Sequence, residues 1–478
     1  MLDKKIKTAA VVGSGPNGLA SAIALAQAGL EVTVYEKHEV IGGGCRSLEL
    51  IKKGYIHDIC STVHLQVRIS PFFRKLPLEK YGLKWITPPF ALANPFDDGT
   101  AAVVSQSMSE TVATLDSIDK RAYARLMSPL ASRSQELMDE IMRFPGIPLR
   151  HPILMLSFGR RALTSTTELA KGLFKRERAR ALLGGMGAHS GMNLEQRGSF
   201  ASGYLMGITA HSDGWPFPQG GSQKTADALA GYLTELGGKI VTDYEVKSLE
   251  QLPAYDMVML DITPRQFLEM AGNRLPLSYI KKLKRYKYGC SAFKCDWILD
   301  GPVPWKAVEC YNANTVHIGG YLEEMVASEK EVNLQRHPEK PFVIVTQPSL
   351  FDRTRAGGSG HIVYGYCHVP NGSTFDMTER IEAQIERFAP GFKDRIIGRH
   401  VMSSADLEHH NPNCVGGDFL GGAQSLKKLI LPLVPYETPI KNVFLCSSST
   451  PPSPGVHGMC GFRAAQKAMK NLGSSFRG

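Results

Sequence analysis

The stretch AAVVGSGPNGLASAIALAQAGLEVTVYEKHEVIGGGCR (residues 9–46) decides the fold. Ala9–Val12 is a short apolar run that ends in Gly13-Ser14-Gly15-Pro16-Asn17-Gly18, a G-x-G-x-x-G turn. Leu19, Ile23, Leu25 and Ala26 then recur among alanines at helical spacing as far as Gly29. Val32–Tyr35 reads as a second strand with Glu36 at its end. Strand, glycine turn, helix, strand and acid in this order form a dinucleotide-binding βαβ unit. Gly13 makes the tight turn, Gly15 lets the backbone approach a pyrophosphate, and Gly18 lets the helix pack on the strand. The helix N-terminus offers N–H groups and the positive end of its dipole to the phosphates. Glu36 can accept both hydroxyls of an adenosine ribose and would repel a 2′-phosphate, so NADP is disfavoured here.

Five residues past the acid comes Ile41-Gly42-Gly43-Gly44-Cys45-Arg46. A nicotinamide dehydrogenase runs directly into its next helix. Here a second glycine loop returns the chain toward the pyrophosphate, with Arg46 as a charge partner. With this extension the sequence resembles the FAD-binding superfamily of amine oxidases, phytoene desaturases and GDP-dissociation inhibitors.

The far end of the chain carries a second motif of the same kind. Asn442–Cys446 (NVFLC) is strand-like, Ser447–Gly461 is rich in Ser, Pro and Gly, and Arg463–Asn471 has helical character. Glycines 455, 458 and 461 recur every third residue, a spacing that permits close backbone approach to a flat ligand. The following helix N-terminus would stabilise negative charge on that ligand. SPGVHGMCGFRAA (453–465) sharpens the resemblance to the phytoene desaturase-like family. CSSST (446–450) stands where many relatives have a Gly-Ser-Gly or Gly-Asp turn, leaving backbone N–H groups of Ser447–Ser449 for the ribityl chain.

The resemblance implies an FAD site formed by Gly13, Gly15, Pro16, Asn17, Gly18, Glu36, Lys37, Gly43, Gly44, Cys45, Arg46, Val246, Ser447, Ser448, Gly455, Val456, Gly458 and Met459. His457 and Asp418, the latter in NPNCVGGD (411–418), are the catalytic candidates, each weighed against a plain structural role. His57 and His64 are read as tucked-in core histidines rather than catalytic ones.

Between the two ends, Gly220-Gly221-Ser222 precedes an alanine-rich helix over 225–236, with Ser222 as its N-cap. A strand near Tyr244–Val246 would lie against the adenine, and Tyr255–Leu260 is a buried strand followed by Asp261-Ile262-Thr263-Pro264. The expected fold is α/β: a Rossmann-like FAD-binding domain assembled from residues 1–75, 214–285 and 436–478. A substrate domain of residues 76–213 and 286–435 would combine a mixed β-sheet with a mainly helical lid over 105–210.

Composition excludes several other classes. A chain of 478 residues that is 43% hydrophobic can bury a real core, so it is neither disordered nor a stapled miniprotein. Nine scattered cysteines without a CxxC argue against a zinc ribbon or a dithiol and fit a reducing, cytoplasmic setting. The histidines lack metal-ligand spacing, and neither G-x-S-x-G nor a P-loop occurs, so no metal is expected. The charge of +10 is concentrated in patches at 143–180 and Lys281–Lys287, read as solvated faces, so no nucleic acid partner is expected. Residues 144–182, which begin with FPGIPLRHPILMLSFGRRAL, mix apolar bulk with arginines and suit a peripheral membrane contact or a self-packed lid.

The resemblance therefore implies an FAD-dependent oxidoreductase acting on carbon–carbon bonds of an apolar substrate, a polyene, isoprenoid or lipid, by hydride transfer at flavin N5. Desaturation, saturation and isomerisation all remain open. A flavin amine oxidase is the alternative enzyme and would need an aromatic pair such as Tyr364 and Tyr366. A non-catalytic binder resembling the GDP-dissociation inhibitors is the alternative from another class.

Overall fold

The computed structural model describes residues 7–143, 150–431, 434–452 and 454–471. Two sheets carry the architecture. In chain order their strands are β1 (Thr8–Val12), β2 (Glu31–Tyr35), β3 (Phe90–Pro95), β4 (Ala101–Ser105), β5 (Lys239–Val241), β6 (Met257–Leu260), β7 (Ser291–Leu299), β8 (Ala313–Ile318), β9 (Val343–Thr346), β10 (His361–Val369), β11 (Ile396–Met402) and β12 (Val443–Leu445).

The first sheet has the order β12-β6-β1-β2-β5 and is parallel throughout. Its central strand TAAVV is buried on both faces, which is why its side chains form a continuous apolar run instead of alternating. The strands come from three separate parts of the chain, so the sheet closes only when residues about 250 and about 185 positions apart in sequence have met. The second sheet has the order β11-β7-β10-β9-β8-β3-β4; its pairs are antiparallel except β8 with β3.

The helices that position the site are α1 (Pro16–Gln27), α2 (Pro152–Ala162), α3 (Glu177–Ala188), α4 (Phe200–Ser212) and α5 (Met459–Asn471). α1 starts with Pro16 at a position where its missing N–H costs nothing. α1 and α5 lie side by side and share one core with Leu229 and Met257. Gly461 makes that contact possible, since a Cβ there would sit 1.8 Å from the carbonyl oxygen of Asn17. α3 and α4 pack with Tyr123, Leu126 and Phe174 in a second core that roofs one face of the large sheet. Among the described residues no helix is long and apolar enough to cross a membrane.

Two local expectations are corrected. The strand of the returning segment is Lys239–Val241, and Tyr244–Val246 is not a strand. Asp243 turns the backbone with φ +54°, after which Tyr244 donates its N–H to the Glu36 carbonyl at 2.9 Å. Ser222 precedes the helix Gln223–Glu235, but its side chain caps nothing. The hydroxyl donates to the Ser61 carbonyl instead.

Candidate functional site

The first and last glycine motifs stand on the wall of one cavity of about 1170 Å³, which also reaches the large sheet and the helical roof. Backbone geometry shapes the cofactor end. Gly13 and Gly43 adopt φ of +98° and +53°, and a Cβ on Gly43 would stand 3.1 Å from the Gly15 Cα. A side chain at either position would be strained and would fill the cradle. Gly18 serves packing: a Cβ there would fall 2.0 Å from the Gly13 carbonyl oxygen.

Charge is arranged around this cradle by three residues. Glu36 accepts from the Ser14 N–H at 3.0 Å, from its hydroxyl at 2.5 Å, and from the His38 N–H at 3.0 Å. The Ser14 oxygen in turn accepts from the Gly42 N–H, tying the two glycine loops together. Asp261, at the end of β6, accepts the Gly18 N–H at 2.9 Å and so satisfies one free donor at the start of α1. Burial, reinforced by the nearby Glu36 and opposed by that N–H, raises the Asp261 carboxyl to about 7. Arg46 is 4% exposed and donates to the Gly43 carbonyl at 3.3 Å, yet it forms no ion pair among the described residues. Burial lowers the pKa of this guanidinium below its usual value, with the Glu36 charge opposing that without a direct ion pair. An anion held in the glycine cradle would satisfy it, so the residues present fit a dinucleotide diphosphate.

The other end of the cavity has two unlike faces. The roof is apolar, with Met155, Phe158 and Ala162 from α2 and Leu205 and Met206 from α4. The floor is one face of the large sheet: Lys294 on β7, Tyr364 and Tyr366 on β10, Thr346 on β9 and Thr315 on β8. They share that face because Lys294 pairs with Tyr366, and Thr346 with both Tyr364 and Thr315, in register. Lys294 is 1% exposed, paired with Asp296, and lies 4.5 Å from the Tyr364 ring centre. Asp296 also meets His57 Nδ1 at 3.3 Å. Lone charges inside the otherwise apolar strand SAFKCDWIL, two residues apart and therefore on one face, were the available sequence signal for this group.

Of the residues expected to touch the cofactor, Gly13, Gly15, Pro16, Asn17, Glu36, Lys37, Gly43, Gly44, Cys45, Arg46, Val246, Ser448, Gly455 and Val456 stand on the cavity wall. Gly18, Ser447, Gly458 and Met459 do not; they lie behind it. Gly458 adopts φ +66° against Phe72, and Met459 belongs to the core under α1. The three evenly spaced glycines are thus divided between tasks, with only Gly455 on the wall.

His457 is not brought to the cavity wall. It is fully buried off the cavity wall, and its Nδ1 accepts the Met459 N–H at 3.0 Å, a contact at the start of α5. Asp418 is on the wall, but its carboxylate accepts the N–H groups of Gly289, Leu420 and Gly422, each at 2.8 Å. That geometry organises a loop, while burial, opposed by these N–H groups, raises the carboxyl above its ordinary range. His64 is buried between Ser222 and Thr225, both at 3.3 Å, and burial lowers it to about 4. Among the described residues no group of His, Cys, Asp and Glu has a metal-binding arrangement.

A parallel nucleotide-type sheet and a separate mixed sheet thus share the walls of one cavity. Comparison with known proteins adds to this. Residues 11–76 match the NAD(P)-binding Rossmann-like domain. The chain is 22% identical to rat pyridine nucleotide-disulfide oxidoreductase domain-containing protein 2, over 97% of this chain and 93% of that one. It is 25% identical to phytoene desaturase of Fusarium fujikuroi over 73% of this chain and 64% of that protein. All-trans-retinol 13,14-reductase of Danio rerio is 22% identical, covering 98% and 85% of the two chains. Among solved structures, an oxidoreductase of Methanosarcina mazei superposes with TM-score 0.67 at 14% identity, over 97% of this chain and all (100%) of that one. A putrescine oxidase variant superposes with TM-score 0.62 at 15% identity, over 98% and 99%. The chain is thus similar to oxidoreductases of several kinds, a phytoene desaturase, a retinol reductase and a putrescine oxidase among them.

Proposed function

We propose that this protein binds FAD and oxidises, reduces or isomerises a carbon–carbon bond of an apolar polyene, isoprenoid or lipid-like molecule. The observation that carries the reading is the continuity of the cavity, from the glycine cradle and unpaired Arg46 to the apolar roof of α2 and α4. When bound, the flavin would accept or supply a hydride at N5. The chain's own residues would bind the diphosphate, exclude water beneath the roof, and present the polar floor to the substrate.

The amine oxidase reading is less well supported. Tyr364 and Tyr366 lie on the wall, but their rings meet edge to face at 65° with centroids 5.9 Å apart, so they do not form a parallel frame. The face of Tyr364 is already engaged by the ammonium of Lys294, 4.5 Å from the ring centre.

An apolar substrate needs a source, and we place it in a lipid surface. Ile153 and Leu156 of α2 are exposed while Met155 and Phe158 of the same helix line the cavity. Arg160 and Arg161 follow in its last turn, where anionic headgroups would meet them. The adjoining segment 144–149 lies outside the described residues.

Purified protein should show flavin bands in the visible spectrum, and anaerobic addition of isoprenoids, but not of primary amines, should change them. A colourless protein would overturn the proposal, and reduction by amines alone would shift it to an oxidase. Ile153→Glu with Leu156→Glu should release the protein from anionic vesicles without loss of flavin; unchanged sedimentation would dismiss the lipid source.

A further inference from the structure

Where the helical roof meets the large sheet, two histidines touch that the proposed chemistry does not use. His189, at the C-terminal end of α3, is part of the cavity wall, and its Nε2 lies 2.8 Å from Nε2 of His317 on β8. His317 is fully buried and does not line the cavity. Its Nδ1 has no hydrogen-bond partner, and it is pressed against α3 where a Cβ on Gly185 would come within 2.6 Å.

This contact admits one proton between the two nitrogens, and the surroundings decide whose it is. If His189 donated, neutral His317 would hold its own proton on Nδ1, a buried N–H without an acceptor. If His317 donates, the bare Nδ1 left over is only an unused acceptor. Orphaned buried donors are the rarer and costlier of the two. Burial holds both rings neutral, with His317 lowered to about 3 and His189 also lowered, helped by His317 and by His368, which pairs with Glu329 at 2.9 Å. His317 therefore donates, and His189 carries its proton on Nδ1. That nitrogen has no acceptor among the described residues.

A second group, on the sheet floor, is also unmatched. Thr346 is 3% exposed and lines the cavity, and its hydroxyl has no partner. It is in register with Thr315, which stands two residues from His317 on the same face of β8. Trp215, whose ring lies 6.4 Å from each imidazole and whose indole N–H donates to Met206, holds this corner rigid.

We infer that His189 and Thr346 form a subsite for an oxygen atom of the substrate, a carbonyl, carboxyl or hydroxyl group carried on the apolar skeleton. The subsite rests on the oxidoreductase reading above and narrows it: a pure hydrocarbon leaves both groups unpaired, while an oxygenated isoprenoid or lipid satisfies them. His317 acts through His189 as a positioning residue by fixing its tautomer.

The test uses the flavin-loaded full chain and two probes, the isoprenoid ketone geranylacetone and the hydrocarbon in which CH₂ replaces its carbonyl. Binding is read from the perturbation of the flavin bands, so no turnover is needed. Wild type should prefer the ketone by about tenfold, the scale of one neutral hydrogen bond. His189→Leu should bring the two probes within about twofold of each other, and His189→Asn, which keeps an N–H donor, should restore the preference. A His189→Leu protein with the wild-type preference overturns the subsite. So does a flavin-bearing wild type that binds both probes alike or neither. A chain that retains no flavin fails earlier, at the oxidoreductase reading itself.

Discussion

The cofactor end and the substrate end of the same cavity are made by different means. The cradle is mostly main chain: glycines at positive φ, carbonyls and N–H groups, with a few charges at its edge. The chamber is mostly side chain: an aliphatic and aromatic roof over a floor of Lys294, Tyr364, Tyr366, Thr315 and Thr346. Backbone geometry is set by short local motifs and tolerates little. A side-chain wall is set by many distant residues, each of which can be exchanged without destroying its neighbours. The cradle should therefore be brittle and the chamber plastic.

The largest effects should come from adding atoms to the cradle or to the helix contact behind it. Gly461→Val forces a side chain into the Asn17 carbonyl at the α1–α5 junction, so soluble protein should be lost or its unfolding temperature should fall by many degrees. Gly15→Leu meets the Asp261 carboxylate within 2.8 Å and should abolish flavin retention, read as loss of visible absorbance relative to the protein band. Leu205→Val in the chamber should keep flavin and fold. If Gly15→Leu keeps its flavin, the main-chain account of the cradle is wrong; if Leu205→Val loses it, the chamber is no more plastic than the cradle.

The same contrast explains what could be read from sequence. Gly13–Gly18, Glu36 and Arg46 are legible because turn, helix start and acid lie within one βαβ unit, and local spacing dictates their geometry. Asp261 was not legible as a site residue. Its place beneath Gly15 depends on β6 pairing with β1 across almost 250 residues, which no local pattern reveals. His457 shows the converse case. Its position within a glycine-rich motif suggested the flavin, but the ring lies buried off the cavity wall, where it meets the Met459 N–H. His189 and His317 carry no mutual signal in sequence because one ends a helix and the other lies in a strand.

Smaller effects should appear on acidification, and they should arise mainly around the chamber. Burial lowers His211 to about 4 and His317 to about 3 against an ordinary 6.5. The unfolded chain accepts protons that the native state refuses, so each group leaves stability intact above about pH 6.5 and removes it as pH falls toward the folded value. Linkage bounds the loss at about 3 kcal/mol for His211 and about 5 kcal/mol for His317, less where the native state relaxes. Unfolding temperature should drop between pH 7 and pH 5, and His211→Asn should flatten that slope. An unfolding temperature independent of pH over this range would contradict the neutral, buried assignment.

The smallest predicted effect lies where the two construction principles meet. Asp261 is the side chain that stands directly behind the main-chain cradle, and its carboxyl is raised to about 7, mainly by burial. Near neutrality it is partly protonated, and in that form it adds no negative charge beside a bound diphosphate. As pH rises through 7 it ionises, so dinucleotide affinity should fall several-fold between about pH 6 and pH 8, in the direction that like charges require. Asp261→Asn keeps an oxygen that can accept the Gly18 N–H and removes the ionisation, so affinity in that variant should be flat with pH. If wild type and Asp261→Asn respond to pH alike, Asp261 does not titrate in the cradle. The diphosphate would then be held by a site whose charge is fixed by Arg46 and Glu36 alone.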